Sequence, residues 1–148
     1  YEIASCLVGS EMCIRDRSKI VHEGNDVTLV SFGKMMKVAE ETYLAAQKEG
    51  INIEVIDLRS VRPIDFESIV NSVKKTNRLV IIEEAWPLAS ISSEISHHIQ
   101  RFAFDYLDAP VHRITCEDVP FHYAPTLIKE ITPNVEKGLK AVKSVMYR

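Results

Sequence analysis

The residues here whose types could do chemistry gather at the ends of apolar runs. Glu83 and Glu84 follow Leu79-Val80-Ile81-Ile82 and are followed in turn by Ala85-Trp86-Pro87. Four apolar residues without alternation predict a strand buried on both faces, and the carboxyl end of such a strand is where open α/β sheets usually bind ligands. Neighbouring strand residues point to opposite faces, so Glu83 and Glu84 could not easily serve one substrate as acid and base. A solvated or interface carboxylate is the plainer reading of each. His97 and His98 diverge in the same way on a helix and lack the H-E-x-x-H spacing of a metal site. His112 and His122 have no cysteine or carboxylate pattern around them, but His122 lies in a proline-framed loop of the kind that often carries function. Arg59 and Arg62 bracket another loop and could receive a carboxylate or phosphate; the alternative is ion pairing to Asp57 or Asp65. Trp86 must either pack inward or meet a partner. Cys116 reads as a small buried hydrophobe rather than a nucleophile.

The elements that would position these groups are legible from Lys19 onward. Residues 19–23 form a candidate edge strand, and Gly24-Asn25-Asp26 a turn. Val27 to Ser31 then reads as a buried strand. A helix is expected from about Lys34 to Glu49, with Met35, Val38, Ala39, Thr42 and Ala46 on one face and Gly50 as its stop. Ile53 to Leu58 is the next strand. Asp65 is placed to cap a helix whose Phe66, Ile69, Val70 and Val73 fall at i, i+3, i+4 and i+7. After the strand at Leu79, a helix carries Ile91, Ile95, Ile99 and Phe102, with Ser92, Ser93 and Glu94 suited to its start. Residues 111–115 make a further strand, residues 117–125 a surface loop, and Thr132-Pro133 opens a last helix with Val135, Leu139, Val142 and Val145 inward. Strands separated by helices of this length predict an α/β three-layer sandwich, a mainly parallel sheet with helices on both faces.

Bulk properties narrow the function classes. The chain has 148 residues, 46% of them apolar, enough for one core. With 18 basic against 21 acidic residues and a net charge of −3, it has no electrostatic footprint for nucleic acid or for a membrane surface. No apolar run reaches the roughly 20 residues that span a bilayer. Three cysteines without metal-ligand spacing favour a reducing compartment. Neither a G-x-G-x-x-G nor a G-x-x-x-x-G-K pattern offers a phosphate cradle. Residues 4–17 have no period and resemble translated sequencing-adapter read-through, so residues 1–17 are expected to be a non-native or disordered leader and residues 18–148 the domain.

The runs Asp26 to Gly33, Val55 to Asp65, Thr76 to Pro87, Ser93-Glu94-Ile95, Leu107-Asp108-Ala109-Pro110 and Asp118 to Ala124 resemble, in fixed order, the C-terminal domain of the transketolase family. The likeness covers Ser18 to Tyr147 and is nearest to the beta subunits of the decarboxylating component of 2-oxoacid dehydrogenase complexes. The pyruvate type is the closest; the branched-chain and acetoin types share the pattern. That resemblance implies part of a heterotetrameric, thiamine-diphosphate- and magnesium-dependent oxidoreductase that decarboxylates pyruvate and acetylates a lipoyl group. In such enzymes the cofactor sits between the alpha subunit and the beta subunit's N-terminal domain. This chain lacks the Gly-Asp-Gly and downstream Asn that hold it, so it is expected to bind no cofactor and to be inert alone. The implied role is assembly: pairing with the alpha subunit and a second beta subunit, and docking to the basic peripheral-subunit-binding domain of the acyltransferase. Asp108 and Arg148 are the implied partner contacts, with Glu83, Glu84, Trp86, Pro87 and His122 as implied subunit-interface residues. A free-standing anion-binding module using Arg59 and Arg62, with homodimerisation of the isolated chain, is the alternative. The implied location is the bacterial cytoplasm, or the mitochondrial matrix in a eukaryote. The family often has glycine where this chain has Ala85, Ser90 and Ser92, and proline where it has His122.

Overall fold

The computed structural model describes residues 17–148; most of the stretch expected to be a leader lies outside the described residues. Five strands form one sheet in the order β1-β3-β2-β4-β5: β1 (Lys19–His22), β2 (Val27–Ser31), β3 (Ile53–Asp57), β4 (Leu79–Ile82) and β5 (His112–Ile114). β2, β3, β4 and β5 run parallel, while β1 pairs antiparallel with β3 at the edge. β2 and β4 are buried along their whole length, as their uninterrupted apolar runs require when helices cover both faces.

Among the described residues five α-helices complete the layers: α1 (Met36–Lys48), α2 (Phe66–Thr76), α3 (Ile91–Phe102), α4 (Pro125–Ile131) and α5 (Val135–Val145). α1 and α5 cover one face, packing Ala39, Ala46, Ala141 and Val142 onto Leu29, Val55, Val80 and Ile82. α2 and α3 cover the other, where Ile69, Val73, Ile95 and Ile99 meet Val30, Ile56, Leu79 and Ile81. The strand alternation sends consecutive β4 residues to opposite cores, so this short strand ties the two together. Gly138 lets α5 approach α1 closely: a Cβ there would stand 2.5 Å from Thr42 Oγ1.

Local signals set the element ends. Asp65 caps α2 by accepting from the Ser68 N–H at 3.1 Å, as its position predicts. Burial tends to raise the Asp65 carboxyl, but hydrogen bonds from Ser68 and Ser18 outweigh it and hold the group below its ordinary 3.8. The first turn expected in α1 is instead a 3-10 turn over Gly33–Met35, entered through Gly33 at φ +58°. α3 is capped by Ser90 and not by Ser92 or Ser93, and Phe102 on its last turn is largely exposed. The last helix starts beyond Pro133, with Asn134 as its cap. α4 has no periodicity long enough to announce it and begins at Pro125, a residue suited to a helix's first position.

Candidate docking surface

The sheet has two ends of different chemistry. At the carboxyl end, β2 and β4 lead to opposite sides, the arrangement that opens a crevice in many α/β folds. Here the crevice is bridged: Ser31 Oγ donates to the Ile82 carbonyl at 2.9 Å, and Lys34 Nζ pairs with Glu84 Oε1 at 3.4 Å. Glu83 is only 1% exposed. Its Oε1 accepts from both the backbone N–H and the hydroxyl of Ser92 in the first turn of α3, so this carboxylate anchors a helix N-terminus, where negative charge is favoured. Its Oε2 has no hydrogen-bond partner among the described residues. Glu83 and Glu84 therefore part as the strand period requires, one inward and one to the surface. His122 is exposed, and no hydrogen bond or ion pair among the described residues joins it to either glutamate. The three do not form an acid–base site.

Around them lies an apolar rim. Trp86 is 53% exposed, with its indole Nε1–H donating to the Val119 carbonyl at 3.1 Å; Leu88, two residues on, and Phe121 and Tyr123, just past Val119, are exposed as well. The Pro87 carbonyl accepts from Arg113 Nη1 at 3.2 Å, and the same nitrogen reaches Ser93 Oγ. Cys116 is buried, and that burial pushes its thiol above the ordinary 9.0, with Glu84 adding to the rise; it is a neutral packing group. On the outer face of α3, His98 stacks on Phe66 with ring centroids 3.8 Å apart, while His97 and His112 are exposed. Arg62 is exposed and its backbone N–H donates to Ser60 Oγ at 3.3 Å; Asp57 accepts from the Arg59 backbone, and Asp65 is taken by Ser18 and Ser68.

At the amino end the exposed groups include a carboxylate and its guanidinium partner. Asp108 sits in the turn before β5, half exposed, with its Oδ2 paired to Arg78 Nη2 at 3.2 Å. Its N–H donates to the Asn77 carbonyl at 2.9 Å, and its own carbonyl accepts from the Tyr147 hydroxyl at 3.1 Å. Arg78 also donates from Nε to the Val145 carbonyl, at the end of α5, and from Nη1 to the Asp26 carbonyl before β2. Arg148 is exposed, with its backbone N–H on the Lys143 carbonyl at 3.0 Å. Sequence reasoning singled out Asp108 and Arg148 but missed Arg78 and Tyr147, whose partners are remote in the chain.

Residues 16–137 match the family model described as the C-terminal domain of transketolase. The chain belongs to that family. Its curated relatives include the pyruvate dehydrogenase E1 component subunit beta of Rhizobium meliloti, 45% identical over 132 residues, which are 89% of this chain and 29% of that protein. The mitochondrial subunit beta of Dictyostelium discoideum is 46% identical over 132 residues, 89% of this chain and 37% of the relative. The chain thus spans well under half the length of the relatives it matches. Among solved structures, a split-gene transketolase described as an inactive beta4 tetramer superposes with a TM-score of 0.81 at 26% identity, covering 90% of this chain and 43% of that one. A 2-oxoglutarate:ferredoxin oxidoreductase from Magnetococcus marinus, at TM-score 0.58 and 13% identity, shares the fold. The α/β layering read from the sequence is that of the transketolase C-terminal domain.

Proposed function

We propose that this chain is the C-terminal assembly domain of the beta subunit of a thiamine-diphosphate-dependent pyruvate dehydrogenase, the enzyme that decarboxylates pyruvate and passes the acetyl group to a lipoyl carrier. In this reading it pairs with the alpha subunit and a second beta subunit and docks to the basic peripheral-subunit-binding domain of the acyltransferase. The observation that carries the docking role is Asp108 at the amino end of the sheet, whose half-exposed carboxylate is held by Arg78 and whose backbone N–H and carbonyl are held by Asn77 and Tyr147. A fixed carboxylate receives an incoming Arg or Lys through a charge-assisted bond without first being ordered. Arg148, exposed just past α5, is the second residue assigned to that contact. The exposed Trp86 beside Pro87, bonded through its indole N–H to the loop that carries His122 and Phe121, supports the subunit-pairing role, with Glu84 and His122 assigned to the same interface, since exposed aromatic residues are enriched at interfaces. Glu83 supports that surface from below by holding α3.

In this reading the cofactor is held elsewhere in the parent enzyme. No group of three or more His, Cys, Asp or Glu among the described residues is arranged to hold a metal ion, and Gly33 stands outside any Gly-Asp-Gly. No chemical step of the decarboxylation is assigned to this chain. No described helix is long and apolar enough to cross a membrane, and we place the parent enzyme in the bacterial cytoplasm or the mitochondrial matrix.

Titration calorimetry with the acyltransferase's binding domain tests the reading. Asp108→Asn is expected to weaken docking at least about tenfold, roughly 1.4 kcal/mol, and unchanged affinity removes Asp108 from the interface.

A further inference from the structure

Arg78 is ion-paired to a carboxylate while its other nitrogens reach two distant backbone carbonyls. It follows Asn77, which ends α2 in the left-handed region at φ 61° and whose carbonyl holds the Asp108 N–H. From there the side chain, 25% exposed, crosses the amino ends of the strands. One nitrogen holds Asp108 Oδ2. Another takes the Val145 carbonyl at the last residue of α5, where a cation is favoured by the helix dipole and an unsatisfied carbonyl needs a donor. The third contact, to the Asp26 carbonyl, fixes the turn before β2. Tyr147 closes the arrangement from the far side. Its hydroxyl donates to the Asp108 carbonyl while its own backbone stands at φ 57°, a conformation that a non-glycine residue keeps only where its surroundings impose it.

We propose that Arg78 is the positioning residue of the docking surface: it turns Asp108 so that Oδ1 faces a basic partner, and locks the end of α5 beside it. This rests on the docking reading above. A carboxylate with Oδ2 held by an internal guanidinium offers its second oxygen outward in one orientation, so an incoming Arg or Lys meets a preorganised acceptor. The internal cation also reduces the negative potential around Asp108. Arg78 therefore slows dissociation by fixing geometry while it slightly opposes electrostatic steering, two effects that kinetics separates.

The test measures association and dissociation rates of the full chain with the acyltransferase's basic binding domain, alongside the thermal midpoint of each variant. Arg78→Met is expected to raise the dissociation rate about fivefold or more without lowering the association rate, and Arg78→Lys to recover only part of the loss. The double variant Arg78→Met with Asp108→Asn is expected to bind no more weakly than Asp108→Asn alone, because the arginine acts through that carboxylate. Should Arg78→Met not fold, Tyr147→Phe removes one brace of Asp108 while keeping the arginine, and is expected to raise dissociation about twofold. A lowered thermal midpoint with wild-type rates, tighter binding, or penalties that multiply in the double variant each overturn the proposal. Wild-type affinity for Asp108→Asn alone overturns the docking reading, and this proposal with it; a loss for Asp108→Asn with none for Arg78→Lys, Arg78→Met or Tyr147→Phe overturns only the role of Arg78.

Discussion

The two ends of the sheet use their carboxylates in opposite ways. At the carboxyl end Glu83 is buried and anchors α3, and the loops there expose Trp86, Leu88, Phe121 and Tyr123 together with Glu84. At the amino end Asp108 stays half exposed, held in place by Arg78, Asn77 and Tyr147. Position in an α/β sheet is therefore a weak guide to which acid stays accessible to a partner. Burial decides it: both Ser92 donors go to Glu83 Oε1, and at 1% exposure its unpaired Oε2 is out of reach of an outside group.

Substitutions at each end break this contrast if it is wrong. Glu83→Ala removes the acceptor of the Ser92 N–H and hydroxyl and opens a cavity, and should cost about 2–4 kcal/mol of stability, read as a lower urea midpoint with unchanged slope. A loss under about 0.5 kcal/mol would mean that Glu83 is not structural. At the cap of α2, Asp65→Ala should cost about 1 kcal/mol. Because hydrogen bonding holds the Asp65 carboxyl below 3.8, its contribution is complete above that value and fades as pH falls through the lowered one; the variant should lose that part of the acid sensitivity. Trp86→Ala, at a half-exposed site, should leave stability within about 0.5 kcal/mol but reduce self-association or subunit pairing in analytical ultracentrifugation. The smallest effect is expected at His98. Burial lowers its imidazole below the ordinary 6.5, Glu94 opposes the shift, and His97 and Arg101 add to it. The unfolded chain takes up the proton first, so stability should be full above 6.5 and decline as pH falls through the lowered value. His98→Phe should flatten that decline.

Much of the fold was legible because it rests on local signals. The unbroken apolar runs of β2 and β4, the i, i+3, i+4, i+7 stripe of α2 and the Asp65 cap each depend on a few neighbouring residues. Where two hydroxyls compete, the reading slipped: Ser90 caps α3 while Ser92 serves Glu83, a distinction that depends on where a distant strand ends. α4 escaped because 7 residues that begin with a proline carry too little periodicity. The candidate surface was legible only in part. Asp108 was visible through its place in Leu107-Asp108-Ala109-Pro110, but Arg78 reaches carbonyls 67 and 52 residues away, and no spacing in the chain encodes that meeting.

The central claim is that Asp108 is the acid that meets a partner and Glu83 is not. Its most direct test is the affinity of the folded chain for the acyltransferase's basic binding domain, measured for Asp108→Asn beside the unaltered protein at one salt concentration. The account predicts a loss of at least about tenfold with the thermal midpoint nearly unchanged. Equal affinities would contradict it.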